Sequence, residues 1–128
     1  MQFRLKTSKE TMDILKQLQS STNLTPNVLA RLAIALSLLS KEPIESFDSD
    51  TNGLEFNRNT LTGEYDFVYK ALIAQQLGRP ITDDEYFPSL IKKHLDRGAK
   101  WLENEYKYAG NYEKLIKGLA NFELEMIR

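Results

Sequence analysis

The sequence has 128 residues, of which 41% are hydrophobic and 27% charged, and its formal net charge is −1. This length and balance predict one globular domain, residues 1–128, that is large enough to bury a core. The absence of cysteine excludes disulfides, zinc–thiolate sites and thiol catalysis.

The net charge conceals a segregation of charge along the chain. Residues 1–41 carry six bases and two acids, residues 42–90 carry ten acids and three bases, and residues 91–128 carry eight bases and six acids. Such a chain is not uniformly basic, although basic faces at both ends remain available to a polyanion. No apolar run is long enough to span a bilayer and no signal peptide is visible, so we expect a cytoplasmic protein without a membrane partner.

The first forty residues predict a strand followed by two helices. Residues 2–6 alternate between apolar and polar side chains, which is the period of a strand. Thr7 and Glu10 have the spacing of a capping box, and the amphipathic helix that follows stops in a polar run of Ser, Thr and Asn. A second helix is expected to begin at the cap Thr25 and to end near Ser40.

This order of elements is that of a ribbon-helix-helix DNA-binding unit. In such a unit the strands of two copies pair as an antiparallel ribbon, because a lone strand cannot satisfy its edge groups. Arg4 and Lys6 would then stand on the face that enters the major groove. An N-terminal strand or extended tail that leads into an ordinary helical hairpin fits the sequence equally well.

The middle of the chain predicts a long connection and one helix. Residues 41–63 are rich in Asp, Asn, Ser, Thr and Gly and contain a few apolar anchors, which is typical of a packed loop. A helix is predicted from Gly63 to Leu77. Its inward-facing residues are expected at helical spacing: Phe67, Ala71 or Val68, Leu72 and Leu77.

The last third predicts two further helices. A capping box at Thr82 and Glu85 precedes a long helix that Pro88 begins and Gly110 ends. Its apolar stripe is expected to comprise Ile91, Leu95, Gly98 or Ala99, Leu102 and Tyr106. Its charged residues are expected on the outer face: Lys92, Lys93, Asp96, Arg97 and Lys100. With a final helix over residues 112–127, the fold class is all-α, a compact domain of about five helices with a short N-terminal extended segment.

Few residues offer catalytic or metal chemistry. His94 is the only histidine, so no two-histidine site can form within one chain, and a structural or phosphate-proximal role is favoured. Residues 48–53 copy the first half of an EF-hand calcium loop, but the twelfth position is Asn59 instead of a bidentate Glu, which favours an acidic turn. We therefore predict no cofactor, no metal and no enzymatic activity.

Two sets of basic residues are candidates for contacts with phosphate. The first lies in the strand and first helix: Arg4, Lys6, Lys9 and Lys16. The second is a row of neighbours on the surface of the long helix: Lys93, Arg97 and Lys100. Both sets have an alternative reading as solvated faces, the usual state of lysine-rich helices.

Three blocks of sequence carry a resemblance to a known family. They are FRLKTSKETMDILKQLQSSTNLTPNVLARLAIALSL near the N-terminus, GLEFNRNTLTGEYDFVYKALIAQQ from Gly53 to Gln76, and KKHLDRGAKWL from Lys92 to Leu102. The middle block is the most specific, because the helical hairpin alone fits many ribbon-helix-helix proteins. Nearly the whole chain resembles DndE, the small subunit of the bacterial DNA phosphorothioate (sulfur) modification system.

The resemblance implies a helical, non-enzymatic subunit, a homotetramer that holds double-stranded, nicked DNA through surface lysines. Its partners would be a cysteine desulfurase, an iron–sulfur protein and an ATPase, which together replace a non-bridging phosphate oxygen by sulfur. The missing cysteines fit this division of labour, because the sulfur chemistry must then lie in the partner subunits. Two alternatives remain: a DNA nickase of the same system, and a ribbon-helix-helix repressor of transcription.

Overall fold

Helices dominate the structure. It is a computed structural model that describes residues 2–111, 113–115 and 117–118. The elements follow in chain order: β1 Arg4–Lys6, α1 Lys9–Thr22, α2 Pro26–Leu39, β2 Glu55–Asn57, α3 Arg58–Leu61, α4 Asp66–Leu77 and α5 Ile91–Ala109. Residues 113–115 and 117–118 are helical too, and the rest of the predicted last helix lies outside the described residues. The prediction of a mostly-α domain is confirmed.

The caps of the helical hairpin lie close to where the sequence predicts them. Thr25 caps α2 through its side chain, and Pro26 is the first helical residue. Asn23 ends α1 in the left-handed conformation, with a φ of 62°. The predicted cap of α1 is wrong by one residue: Ser8 accepts the backbone N–H three residues on, whereas Thr7 accepts the N–H of Leu54.

Strand β1 finds its partner within the same chain. It pairs with β2 in antiparallel register, with Leu5 opposite Phe56, and both of these side chains are buried. The order strand, helix, helix is therefore confirmed, and the strand that pairs with β1 is β2 of the same chain. The connection predicted over residues 41–63 therefore contains a strand. The sequence does not predict β2, because an alternation of three residues around Phe56 is too short to indicate a strand.

The core lies where α5 crosses α2. Gly98 of α5 touches the backbone of Ala33, where an added Cβ would lie 1.7 Å from the Ala33 carbonyl oxygen. Only glycine permits this approach of the two helices. The predicted apolar stripe of α5 is confirmed, since its members from the first four turns are buried: Ile91, Leu95, Gly98, Ala99 and Leu102. Helix α1 completes the core with Ile14, Leu15 and Leu18.

The predicted inward face of α4 is wrong except at Leu77, which packs against the core. Phe67 is 74% exposed and Leu72 is 44% exposed, whereas Ile73 is fully buried. Asp66, seven residues before Ile73 and on the same side of the helix, is tied to Arg58 of α3. This polar anchor turns the apolar stripe outward, which a count of apolar spacings cannot reveal.

The entry to α5 begins with the predicted capping box. Thr82 Oγ1 accepts the N–H of Glu85, and Glu85 Oε1 accepts the N–H of Thr82, each at 3.1 Å. Phe87 is the one residue with non-helical φ/ψ between Glu85 and Leu90, so the chain kinks there and then continues without a break into α5. The predicted start of the long helix at Pro88 is therefore confirmed. Among the described residues no single helix is long and apolar enough to cross a membrane, and α1 with α2 qualifies only as a pair bent by 115°.

Candidate nucleic-acid interface

Helix α1 presents two exposed lysines on one face. Lys9 and Lys16 are seven residues apart, which is close to two helical turns, so their side chains project in nearly the same direction. Both are exposed, and neither forms an ion pair with any residue that the structure describes. An acid, Asp13, is also exposed between them. Their ammonium groups are therefore available to an external anion.

Strand β1 adds two exposed bases next to α1. Arg4 and Lys6 project from the face opposite the buried Leu5. Arg4 Nη1 lies 3.4 Å from Glu55 Oε2, in a pair whose members are both largely exposed. Such a pair contributes about 1 kcal/mol at most, so a phosphate can compete for the guanidinium. Lys6 stands in register with Glu55 and forms no ion pair with a described residue.

Lys100 connects the two predicted sets. Its Nζ lies 3.4 Å from Glu10 Oε1, and both side chains are largely exposed. Glu10 belongs to the first turn of α1, which also contains Lys9. The structure therefore brings Lys100, from the second set, to the side of the molecule where the first set begins.

Lys93 instead faces an acidic segment that we call the acidic strap, residues 42–50. Its Nζ donates to the main-chain oxygen of Glu45 at 2.6 Å. The strap that supplies this carbonyl oxygen also carries four exposed acids: Glu42, Glu45, Asp48 and Asp50. These carboxylates make the surroundings of Lys93 unfavourable for a phosphate.

Arg97 is 6% exposed, so its predicted place on the outer face is wrong. Its Nε donates to Ser37 Oγ and its Nη2 to the Ser37 carbonyl oxygen, both at 2.8 Å, and its Nη1 donates to the Glu42 carbonyl oxygen at 2.9 Å. The guanidinium lies 4.9 Å from the ring centre of Trp101, and burial lowers the pKa of Arg97. It is thus a cation at the C-terminus of α2, where the helix dipole favours positive charge.

Asp96 is the second charged residue whose predicted place on the outer face is wrong. Its carboxylate accepts the backbone N–H of Ser8 at 3.1 Å, the Ser49 hydroxyl at 2.6 Å and the Lys92 ammonium at 2.7 Å. It therefore fastens the acidic strap to the start of α1. The strap covers a second side of α5, which is why more of this helix is buried than its apolar stripe predicts.

His94 is a buried structural residue. Its Nδ1 lies 2.7 Å from Ser37 Oγ. The same hydroxyl oxygen accepts from Arg97 Nε. Nε2 is buried and has no partner among the described residues. Burial, with a contribution from the charge of Arg97, lowers the pKa of His94 to about 3. Ser37 is equally buried, so the pair has no access to a substrate.

A cluster around Arg58 escaped the sequence analysis. The guanidinium makes three hydrogen bonds to Asp66, of 3.1, 3.2 and 2.7 Å, and two to Asp83, of 3.1 and 2.8 Å. It lies 5.3 Å from the ring centre of Tyr86, whose hydroxyl donates to Asp66. Burial raises the pKa of Asp66, but hydrogen bonds from Arg58, Thr62 and Tyr86 outweigh it and the net pKa is lowered. The one sequence signal for this cluster is that Arg58 is one of only three bases among the ten acids of residues 42–90.

The calcium-like loop is an acidic turn whose acids serve the backbone. Asp50 Oδ1 accepts the N–H groups of Lys9 and Asn52, both at 2.9 Å, and these bonds lower its pKa. Asp48 Oδ1 accepts the N–H of Ser49. Within the described ranges, no three His, Cys, Asp or Glu side chains gather where they could hold a metal ion.

The comparison that decides the family covers most of the chain. Residues 4–110 match the family described as "DNA sulphur modification protein DndE". The chain belongs to the DndE family. It is similar in fold to a crystal structure of DndE from Escherichia coli B7A involved in DNA phosphorothioation modification, at 24% identity over 77% of this chain and 96% of that one, with a TM-score of 0.63. A DndE mutant involved in DNA phosphorothioation matches at 22% identity over 79% and 97%, with a TM-score of 0.59. No curated protein matches the chain.

Proposed function

We propose that this DndE-family protein is the DNA-binding subunit of a DNA sulfur-modification complex. Duplex DNA would lie along β1 and the outer face of α1, with the phosphates next to Arg4, Lys6, Lys9, Lys16 and Lys100. The observation that carries the proposal is the exposure of Lys6, Lys9 and Lys16 without ion pairs to described residues, in a family of DNA sulphur modification proteins. Such contacts recognise the phosphate backbone and carry no sequence information.

The basic residues would not contribute equally. Lys6, Lys9 and Lys16 come first because no carboxylate among the described residues pairs with them. Lys100 and Arg4 must give up exposed ion pairs. Lys93 lies among the carboxylates of the acidic strap and comes last, and Arg97 is omitted because its guanidinium is buried.

The sulfur chemistry would lie in other subunits. The sequence has no cysteine to carry sulfur or to ligate an iron–sulfur cluster. An iron–sulfur protein and an ATPase are therefore the partners we propose, with this chain holding the DNA, nicked duplex included, and performing no catalysis. The only histidine is buried with a depressed pKa, which agrees with a non-enzymatic role.

We also propose a homo-oligomer, a tetramer by family resemblance. Several copies would align several α1 faces along one duplex, so each contact would raise the effective concentration of the next. An apolar run such as that of α2 can indicate an interface between subunits. Here that argument is weak, because Leu29, Ala33 and Leu36 are already buried within one chain. Light scattering of the purified protein tests this proposal, and a monomeric mass at micromolar concentration contradicts it.

Binding to a labelled random-sequence duplex, with and without a nick, tests the function. We expect the Lys9→Ala/Lys16→Ala variant to bind every duplex more weakly than wild type does. Lys41→Ala is the control: Lys41 is exposed just beyond the C-terminal end of α2 and lies outside the residues assigned to DNA. A loss confined to one operator sequence would favour the repressor, and relaxation of supercoiled plasmid with magnesium or manganese would favour the nickase.

A further inference from the structure

Helices α2 and α4 expose one continuous apolar surface. Phe67, Val68 and Leu72 on the outward side of α4 are 74%, 38% and 44% exposed. Beside them runs a groove of about 700 Å³, which we call the α2–α4 groove. Its walls include Leu32, Ala35, Leu36, Leu39, Tyr69 and Leu72. Exposed apolar surface of this kind on a small domain marks a site of interaction.

Among the described residues, the one charged side chain that lines this groove is a cation. Lys41 lines the end at the C-terminus of α2, and no carboxylate from the described part of the chain lines the groove. Near its other end, Arg31 donates to the carbonyl oxygens of Thr60 and Leu61, and its charge also reaches the hydroxyl of Tyr69. Glu42, the residue after Lys41, is exposed but does not line the groove.

We infer that the α2–α4 groove binds an amphipathic helix of a different protein, with apolar residues towards the groove and carboxylates at its flanks. A groove between two helices accepts a third helix whose anchors recur at i, i+3 or i+4, and i+7. The wall from Leu32 to Lys41 spans about 15 Å, which matches nearly three helical turns. Carboxylates on the incoming helix would complement Lys41 and Arg31 at the rim.

A second copy of this chain fits the groove less well. In a two-fold contact each copy presents the same surface to the other. Neither the groove nor the exposed residues of α4 from Phe67 to Leu77 offer a carboxylate, so the cations at the rim would meet no opposite charge. The inference goes beyond the proposed DNA binding, because it uses residues outside the set assigned to DNA.

Two synthetic helical peptides test the inference on the full-length protein. They share the same leucines at groove-facing positions, and one is flanked by glutamates while the other is flanked by lysines. At low salt we expect fluorescence anisotropy to show about tenfold tighter binding of the glutamate peptide, a preference that shrinks as salt screens the rim charges. Lys41→Glu should abolish the preference, whereas Lys107→Glu, the control, should keep it.

Two variants separate the groove from the fold and from the DNA surface. Leu72→Glu and Ala35→Glu change exposed residues on opposite walls, so both should stay folded by circular dichroism and keep the duplex affinity of wild type. Both should lose the glutamate peptide. Equal affinity for the two peptides, or no binding of either, would overturn the inference. So would a fall in the solution mass of Leu72→Glu, because the groove would then be covered by a second copy.

Discussion

Replacing Arg97 by alanine should destabilise the fold and leave DNA binding intact. The variant removes two charge-assisted hydrogen bonds to buried acceptors of Ser37 and one to the more accessible carbonyl of Glu42. A buried acceptor left without its donor costs about 1–3 kcal/mol, and water can replace the donor at Glu42, so the two bonds to Ser37 should dominate with about 3–4 kcal/mol. With a urea slope of about 2 kcal/mol per molar, the unfolding midpoint should fall by roughly 2 M.

Urea unfolding followed by circular dichroism measures this change. Lys100→Ala, one turn further along α5 but exposed, is the matched control and should stay within about 0.5 kcal/mol of wild type. Arg97→Lys should fall between the two, because an ammonium keeps the charge but cannot reach all three acceptors. If Arg97→Ala unfolds at the midpoint of the control, the assignment of Arg97 to the cap of α2 is refuted. Loss of duplex affinity in the folded variant would restore it to the DNA surface.

Three further predictions follow from the interior and the acidic turn. Gly98→Ala should cost about 2–3 kcal/mol in the same urea experiment, since its Cβ collides with the backbone of Ala33 and not with a flexible side chain. Because the pKa of His94 is depressed in the folded protein, the imidazole is protonated between about pH 6.5 and 3 only in the unfolded chain. The free energy of unfolding should therefore fall as the pH drops through that range. His94→Gln should lack this component, and an unchanged pH dependence would contradict the assignment. Millimolar calcium should leave the melting temperature unchanged, because Asp50 Oδ1 already accepts two backbone N–H groups. If the loop bound calcium, a concentration of 100 times the dissociation constant would add about 2.7 kcal/mol to the free energy of unfolding and raise the melting temperature.

Local signals predict the helical skeleton well. The cap at Thr25 and the capping box at Thr82 each act through hydrogen bonds within a few residues, so the sequence contains the whole interaction. The apolar stripe of α5 is equally readable, because it packs on α2 over several turns. These features fix the class of the fold without reference to distant residues.

Features that depend on distant partners are invisible to the same reading. Arg97 and Asp96 have the helical positions of surface residues. Segments distant in sequence bury them: Ser37 of α2 and the acidic strap hold Arg97, and Ser8 and the strap hold Asp96. The outward face of α4 follows from the contact of Asp66 with Arg58, which no periodicity encodes. For the candidate interface, the sequence identifies the basic residues. The fold shows which of them are exposed without ion pairs to described residues, such as Lys9 and Lys16, and which bind other parts of the same chain, such as Lys93 and Arg97.

The salt dependence of duplex binding tests the DNA-binding proposal most directly. Each phosphate neutralised by a lysine releases condensed counterions and contributes about 0.9 to the slope of log affinity against log salt concentration. We predict that Lys6→Ala/Lys9→Ala/Lys16→Ala binds all sequences more weakly and loses part of this slope, whereas Lys93→Ala keeps both the affinity and the slope of wild type. Unchanged affinity and slope in the triple variant would contradict the account, because the exposed lysines of β1 and α1 would then be solvated surface only.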